Sequence, residues 1–95
     1  MKIVISNQAK KDIIDIYKYI ALDSPRYAKE TIQNIQKDIH KLEETPFIGR
    51  YVPERTDKLY RELIYKNYRI IYNISEYKIY IHFVINRKRN IKKFF

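Results

Sequence analysis

Cysteine is absent from this 95-residue chain, which also has only two histidines, one glycine and three prolines. Without cysteine there is neither a disulfide framework nor a thiolate zinc site. His40 and His82 fall in different elements on any reading, so a metal-dependent enzyme is disfavoured and neither metal nor cofactor is expected. Long hydrophobic runs are missing as well. The apolar start, MKIVIS, is far too short for a signal peptide or a membrane span, which predicts a soluble cytoplasmic protein with no membrane partner. No internal repeat or low-complexity stretch occurs.

What is present fits one globular domain over residues 1–95. Apolar content is 45% and charged content 33%, values of a folded chain and not of a disordered tail. A chain of this size buries about 60–65% of its unfolded surface, enough for one modest core. The net charge of +9 is unevenly spread. Residues 1–45 hold eight Lys/Arg against seven Asp/Glu, whereas residues 46–95 hold twelve against four. Arg87, Lys88, Arg89, Lys92 and Lys93 crowd the carboxy-terminal end. Such a basic face points to a polyanionic partner, against the blander reading of a solvated lysine-rich surface.

In chain order, Lys2 to Ile5 alternates as a short strand, and Ser6 or Asn7 can cap a following helix. Ala9, Ile13, Ile16, Tyr17 and Ile20 then recur at helical spacing, so that face is expected to be buried. Ser24-Pro25 starts a second helix, with serine at the cap and proline at the first helical position. Its apolar stripe is Ala28, Ile32, Ile35, Ile39 and Leu42, and core packing is favoured over a coiled-coil seam. The helix is expected to end at Thr45, because the residue before Pro46 avoids the α region. Pro46 to Lys58 reads as irregular, with Gly49 and Pro53 marking turns.

Leu59 to Tyr72, LYRELIYKNYRIIY, reads as two period-two runs around Lys66-Asn67, a β-hairpin in which Asn67 tolerates the positive φ a primed turn needs. Lys78 to Ile85 supplies a third strand, with Ile79, Ile81, Phe83 and Ile85 expected on one side and Tyr80, His82 and Val84 on the other. The predicted architecture is α+β: a strand (1–5), a helical hairpin (7–45), a three-stranded antiparallel meander (59–85) and a basic tail (86–95). The order is β-α-α-β-β-β, with the helices on one face of the sheet. The other face, carrying Arg61 and Arg69, is expected to be open.

Four stretches in order, IDIYKYIALDSPRYA at 14–28, GRYVPE at 49–54, RELIYKNYRIIY at 61–72 and NRKRN at 86–90, give the chain a resemblance. It resembles the RelE/ParE superfamily of toxins from bacterial type II toxin–antitoxin modules over nearly its whole length. The resemblance implies a growth-inhibiting toxin held in a hetero-oligomer by a cognate antitoxin that lays an acidic or amphipathic segment on it. Two activities are implied. ParE-like members bind and poison DNA gyrase, and this reading is slightly favoured. RelE-like members cut messenger RNA in the ribosome without metal, by attack of the 2′-hydroxyl on the adjacent phosphate.

For gyrase binding, the implied contacts are Arg69, Arg87, Lys88, Arg89, Phe94 and Phe95. For an endoribonuclease, Arg69 and Arg89 fall on that family's catalytic arginines, with Arg61 and Lys88 adding charge. Phe95 stands where that family has a tyrosine, and can stack on a base but cannot move a proton. Asn86 stands where ParE-like relatives often carry histidine. His82 and Glu62 are the remaining side chains able to transfer a proton, though His82 reads as a packing residue and Glu62 as the partner of Arg61 or Arg69. A third class, a non-toxic nucleic-acid-binding module, predicts salt-sensitive binding without growth arrest.

Overall fold

Ser6 turns the chain from strand to helix. Its hydroxyl accepts the Ala9 N–H at 2.9 Å, so it caps the first helix. The computed structural model describes residues 1–94; Phe95 and the side chain of Phe94 lie outside the described residues. The elements are β1 (Lys2–Ile5), α1 (Asn7–Ala21), α2 (Pro25–Lys41), β2 (Arg50–Tyr51), β3 (Arg61–Tyr65), β4 (Tyr68–Ser75), β5 (Lys78–Asn86) and a 3₁₀ turn, Ile91–Phe94. Ser24 caps α2 through the Tyr27 N–H at 3.1 Å, with Pro25 at the first helical position as expected.

The fold is α+β, with the α1–α2 hairpin against one face of the sheet. Strand order is β1-β5-β4-β3-β2. The predicted meander β3-β4-β5 is antiparallel, β1 adds in parallel beside β5, and the two-residue β2 adds antiparallel to β3. β2 lies inside the segment that reads as irregular, because two residues between Gly49 and Pro53 show no period. Gly49 is needed where it lies: a Cβ there would sit 2.5 Å from the Tyr72 hydroxyl and 2.7 Å from the Glu62 carbonyl. The Tyr72 hydroxyl accepts the Gly49 N–H at 2.9 Å and donates to the Pro46 carbonyl at 2.8 Å.

Several expectations are corrected. The α-helix ends at Lys41, not Thr45. The chain then closes in turns, and the Thr45 N–H and hydroxyl both donate to the Lys41 carbonyl, at 3.1 and 2.9 Å. Tyr17 lies outside the buried stripe of α1, where Ala9 and Ile13 are buried. In the β3–β4 turn the left-handed residue is Lys66, with φ 49°, not Asn67.

The alternation in β5 breaks at a β-bulge. Ile71 pairs with Phe83 and Tyr72 with Ile81, which leaves His82 as the extra residue. Ile79, Ile81 and Val84 therefore face the helices, while Phe83 and Ile85 face away. The backbone groups freed there are taken up by side chains. Ser6 Oγ donates to the His82 carbonyl at 2.9 Å, and the Val84 N–H donates to Asp12 Oδ2 at 3.0 Å.

The main core joins Ile35, Ile39 and Leu42 to Ile70, Tyr72, Ile79, Ile81 and Val84. The opposite face is not open. Val52, Ile71, Ile85 and Ile91 form a second buried cluster there, flanked by Tyr60 and Phe83. The segment after β2 and the carboxy-terminal turn supply the cover. Arg61 and Arg69 do not share that face either: Arg61 pairs with Tyr72 and so lies on the helix side, whereas Arg69 pairs with Ile64 and lies on the back.

Candidate target-binding surface

Strand alternation aims Glu62 of β3 and Arg69 of β4 at the back of the sheet, beside the second core. Both are buried, Arg69 to 4% exposure and Glu62 to 1%. A buried guanidinium must be paired, and Arg69 is paired on every side. Its Nη1 and Nη2 donate to the two oxygens of Glu54, each at 2.7 Å, a bidentate geometry. Its Nε donates to Glu62 Oε1 at 2.8 Å, and Nη1 also reaches the Arg89 carbonyl at 3.1 Å. The other Glu62 oxygen accepts from Arg50 Nε at 2.6 Å. The bonded guanidinium holds the Glu54 carboxyl down at about 2, well below its ordinary value, while the Arg69 pKa is raised, chiefly by its bonds to Glu54.

Arg69, expected on an open face as a target contact or phosphate clamp, is thus an internal residue committed to two carboxylates. Glu62 is the partner of Arg69, as the sequence suggested, but Arg61 is not its partner. Arg61 braces the approach to β2 instead. It donates to the Gly49 carbonyl at 2.7 Å and to the Tyr51 hydroxyl at 3.1 Å, and its guanidinium lies 4.3 Å from the Tyr51 ring centroid.

Arg87, Lys88 and Arg89 are exposed in a turn beyond β5. The Arg87 N–H donates to the Asn67 carbonyl at 2.6 Å, and the Lys88 N–H to Asn86 Oδ1 at 2.9 Å. Asn67, Asn86, Arg87 and Lys88 line an open cleft of about 480 Å³. Next to it a second cleft, about 300 Å³, sets Arg89 and Asn86 opposite Asp12, Asp15 and Tyr19 of α1. The structure therefore brings Arg87, Lys88 and Arg89 together at one end of the sheet, apart from Arg61, while the buried Arg69 guanidinium reaches only the Arg89 backbone carbonyl among them. Phe95, also expected as a contact, lies outside the described residues, as does the side chain of Phe94.

His82 packs away from this surface. Its Nε2 is 2.6 Å from Asn73 Oδ1, and its ring meets the Tyr60 ring edge-on at 5.3 Å between centroids. Burial pushes its pKa below the ordinary value. Among the described residues no three His, Cys, Asp or Glu side chains are placed to hold a metal ion, and no helix is long and apolar enough to cross a membrane.

One apolar surface has no periodic signature in the sequence. Phe47, Ile48 and Leu59 are all 60% exposed or more, with Phe47 and Leu59 beside Tyr51 and Arg61 and Ile48 beside Leu63 and Ile64. The available signal was the apolar pair Phe47-Ile48 inside a segment with no period to bury it.

The family model described as the ParE toxin of the type II toxin–antitoxin system parDE matches residues 3–91. The solved chromosomal ParDE toxin–antitoxin system from P. aeruginosa contains a chain of similar fold, with TM-score 0.76 and 20% identity. That match covers 90% of this chain and 95% of the other. A search of curated protein sequences found no match.

Proposed function

From the premise that the chain belongs to the ParE toxins of type II toxin–antitoxin systems, we propose that it arrests bacterial growth by binding DNA gyrase and is silenced by a cognate antitoxin. The contacts in this reading are Arg87, Lys88 and Arg89, together with Phe94 and Phe95 as the resemblance implies. Arg69 supports them from inside.

One observation carries the preference for binding over RNA cleavage. The arginine that would clamp a scissile phosphate is buried between Glu54 and Glu62, where an incoming phosphate would have to displace two carboxylates. Acid–base support is also thin, since His82 is bonded to Asn73 and packed against Tyr60 within the sheet, away from the basic end. A ribosome-dependent nuclease remains the second reading because Lys88 and Arg89 are exposed beside the clefts, where they can meet phosphate. A non-toxic nucleic-acid-binding module is the third.

The antitoxin's acidic or amphipathic segment has two complementary surfaces, the helical hairpin and the basic end, with a toxin–antitoxin hetero-oligomer as the product. Expression without the antitoxin is expected to stop growth, and normal growth with folded protein would remove the toxin reading. A gyrase supercoiling assay with purified protein is expected to show inhibition. Intact supercoiling, together with discrete message cuts in a cell-free translation reaction mapped by primer extension, would replace gyrase by the ribosome.

A further inference from the structure

Beyond Asn86 the chain leaves the sheet in a turn that carries Arg87, Lys88 and Arg89, closed locally by the Arg89 N–H, which donates to the Asn86 carbonyl at 3.1 Å. Its near end is tied by the Arg87 N–H to the Asn67 carbonyl at 2.6 Å. Its far end is tied from the back of the sheet. Arg69 Nη1 donates to the Arg89 carbonyl at 3.1 Å, the Ile91 N–H points to Glu54 Oε2 at 3.4 Å, and the Ile91 side chain is fully buried beside Ile71 and Ile85. Glu54 is the residue these ties share. It grips the Arg69 guanidinium with both oxygens and also faces the Ile91 N–H, although it comes from the segment after β2. Glu62 holds the same arginine from the other side, yet its second oxygen goes to Arg50 and not to the terminus.

We propose that Glu54 is a positioning residue for the basic end: through Arg69 and Ile91 it holds the 87–90 turn in one place, so that its cations meet an acidic protein surface as a fixed array. A terminal segment without such a tie frays, and its ordering on binding would lower affinity. The carboxylate suits the task because it stays ionised throughout the physiological range. This proposal rests on the reading of the basic end as the target contact.

The test uses the full chain. Glu54→Gln keeps the shape and removes the charge, and Tyr72→Phe is the control, since it deletes hydrogen bonds on the helix side that do not touch the terminus. Amide exchange is followed at Arg89 and Ile91 and, for comparison, at Ile70 and Ile81. Growth arrest is titrated against soluble toxin level. In Glu54→Gln, exchange at Arg89 and Ile91 is expected to quicken about tenfold with Ile70 and Ile81 within about twofold of the parent, and about tenfold more toxin is needed for arrest. In Tyr72→Phe the terminal amides and the arrest titre are expected to stay within about twofold of the parent. Unchanged exchange at Arg89 and Ile91 in Glu54→Gln overturns the positioning role, as does an equal loss of arrest in Tyr72→Phe. The underlying reading has its own test. If Arg87→Ala/Lys88→Ala arrests growth like the parent, the basic end is not the target contact, and the functional half of the proposal falls with it.

Discussion

Arg69 sits at the centre of a buried ion cluster, with Glu54 on its two Nη atoms and Glu62 on its Nε. Its position in the strand was legible, because Tyr68, Ile70 and Tyr72 alternate against it. Its environment was not, since Glu54 lies fifteen positions away in a segment with no period, and only tertiary structure puts the two side chains in contact. Removing one member of a buried ion cluster strands the others. Arg69→Ala is therefore expected to cost about 3–5 kcal/mol, read from urea unfolding, since it strips Glu54 of its bidentate partner and leaves Glu62 with Arg50 alone. A loss below about 1 kcal/mol would mean that water replaces the guanidinium easily.

Glu54 also sets a pH response. Its folded pKa is depressed from 4.5 to about 2. The stability it contributes is therefore fully present above 4.5 and is lost as pH falls from there toward 2. Unfolding followed between neutral pH and pH 2 is expected to show the parent's advantage over Glu54→Gln shrinking across that window. A constant gap down to pH 2 would contradict the assignment.

At the scale of elements, period alone found both helices and the β3–β4 hairpin, because each buries one face whose spacing is written locally. Three features escaped it for one reason: each depends on a distant partner. The strand β2 exists only because β3 offers it an edge. The cover on the back face depends on Val52 and Ile91, which come from opposite sides of the meander. The bulge at His82 is held by groups from the other end of the chain, Ser6 and Asp12.

Asp12 is the clearest case. On the helix it reads as one more solvated charge, yet it accepts the Val84 N–H that the bulge frees. Asp12→Ala is expected to destabilise the fold by about 1–3 kcal/mol, and Asp12→Asn, which keeps an acceptor, by much less. Equal losses in the two variants, by thermal or urea unfolding, would show that charge and not the hydrogen bond matters there.

For the whole molecule, the lopsided charge was the most legible feature and the least specific. It pointed to an acidic or phosphate-bearing partner and named a region. Which cations are displayed was decided by the fold, which keeps Arg69 inside and Arg87, Lys88 and Arg89 outside. Stability and target binding should respond differently to salt as a result. Raising salt from about 50 to about 200 mM shortens the reach of exposed charges and leaves buried pairs and apolar packing nearly untouched. If gyrase is the target, as proposed, its inhibition is expected to weaken over that range while the urea midpoint barely moves. An inhibition curve indifferent to salt would argue that apolar contacts, such as those Phe47 and Ile48 offer, dominate the encounter.

The parallel pairing of β1 with β5 has a consequence in time. Ile3 and Ile5 sit beside Ile79 and Ile81, so the strand that leaves the ribosome early has no neighbour until the last strand of the sheet has been made. At roughly 5–20 residues per second, that wait is several seconds. The bulge shares the delay, because Ser6 and Asp12 serve groups on the same late strand. A nascent chain stopped before β5 therefore cannot close its sheet, and interrupted synthesis of this protein yields unfinished chains instead of smaller toxins.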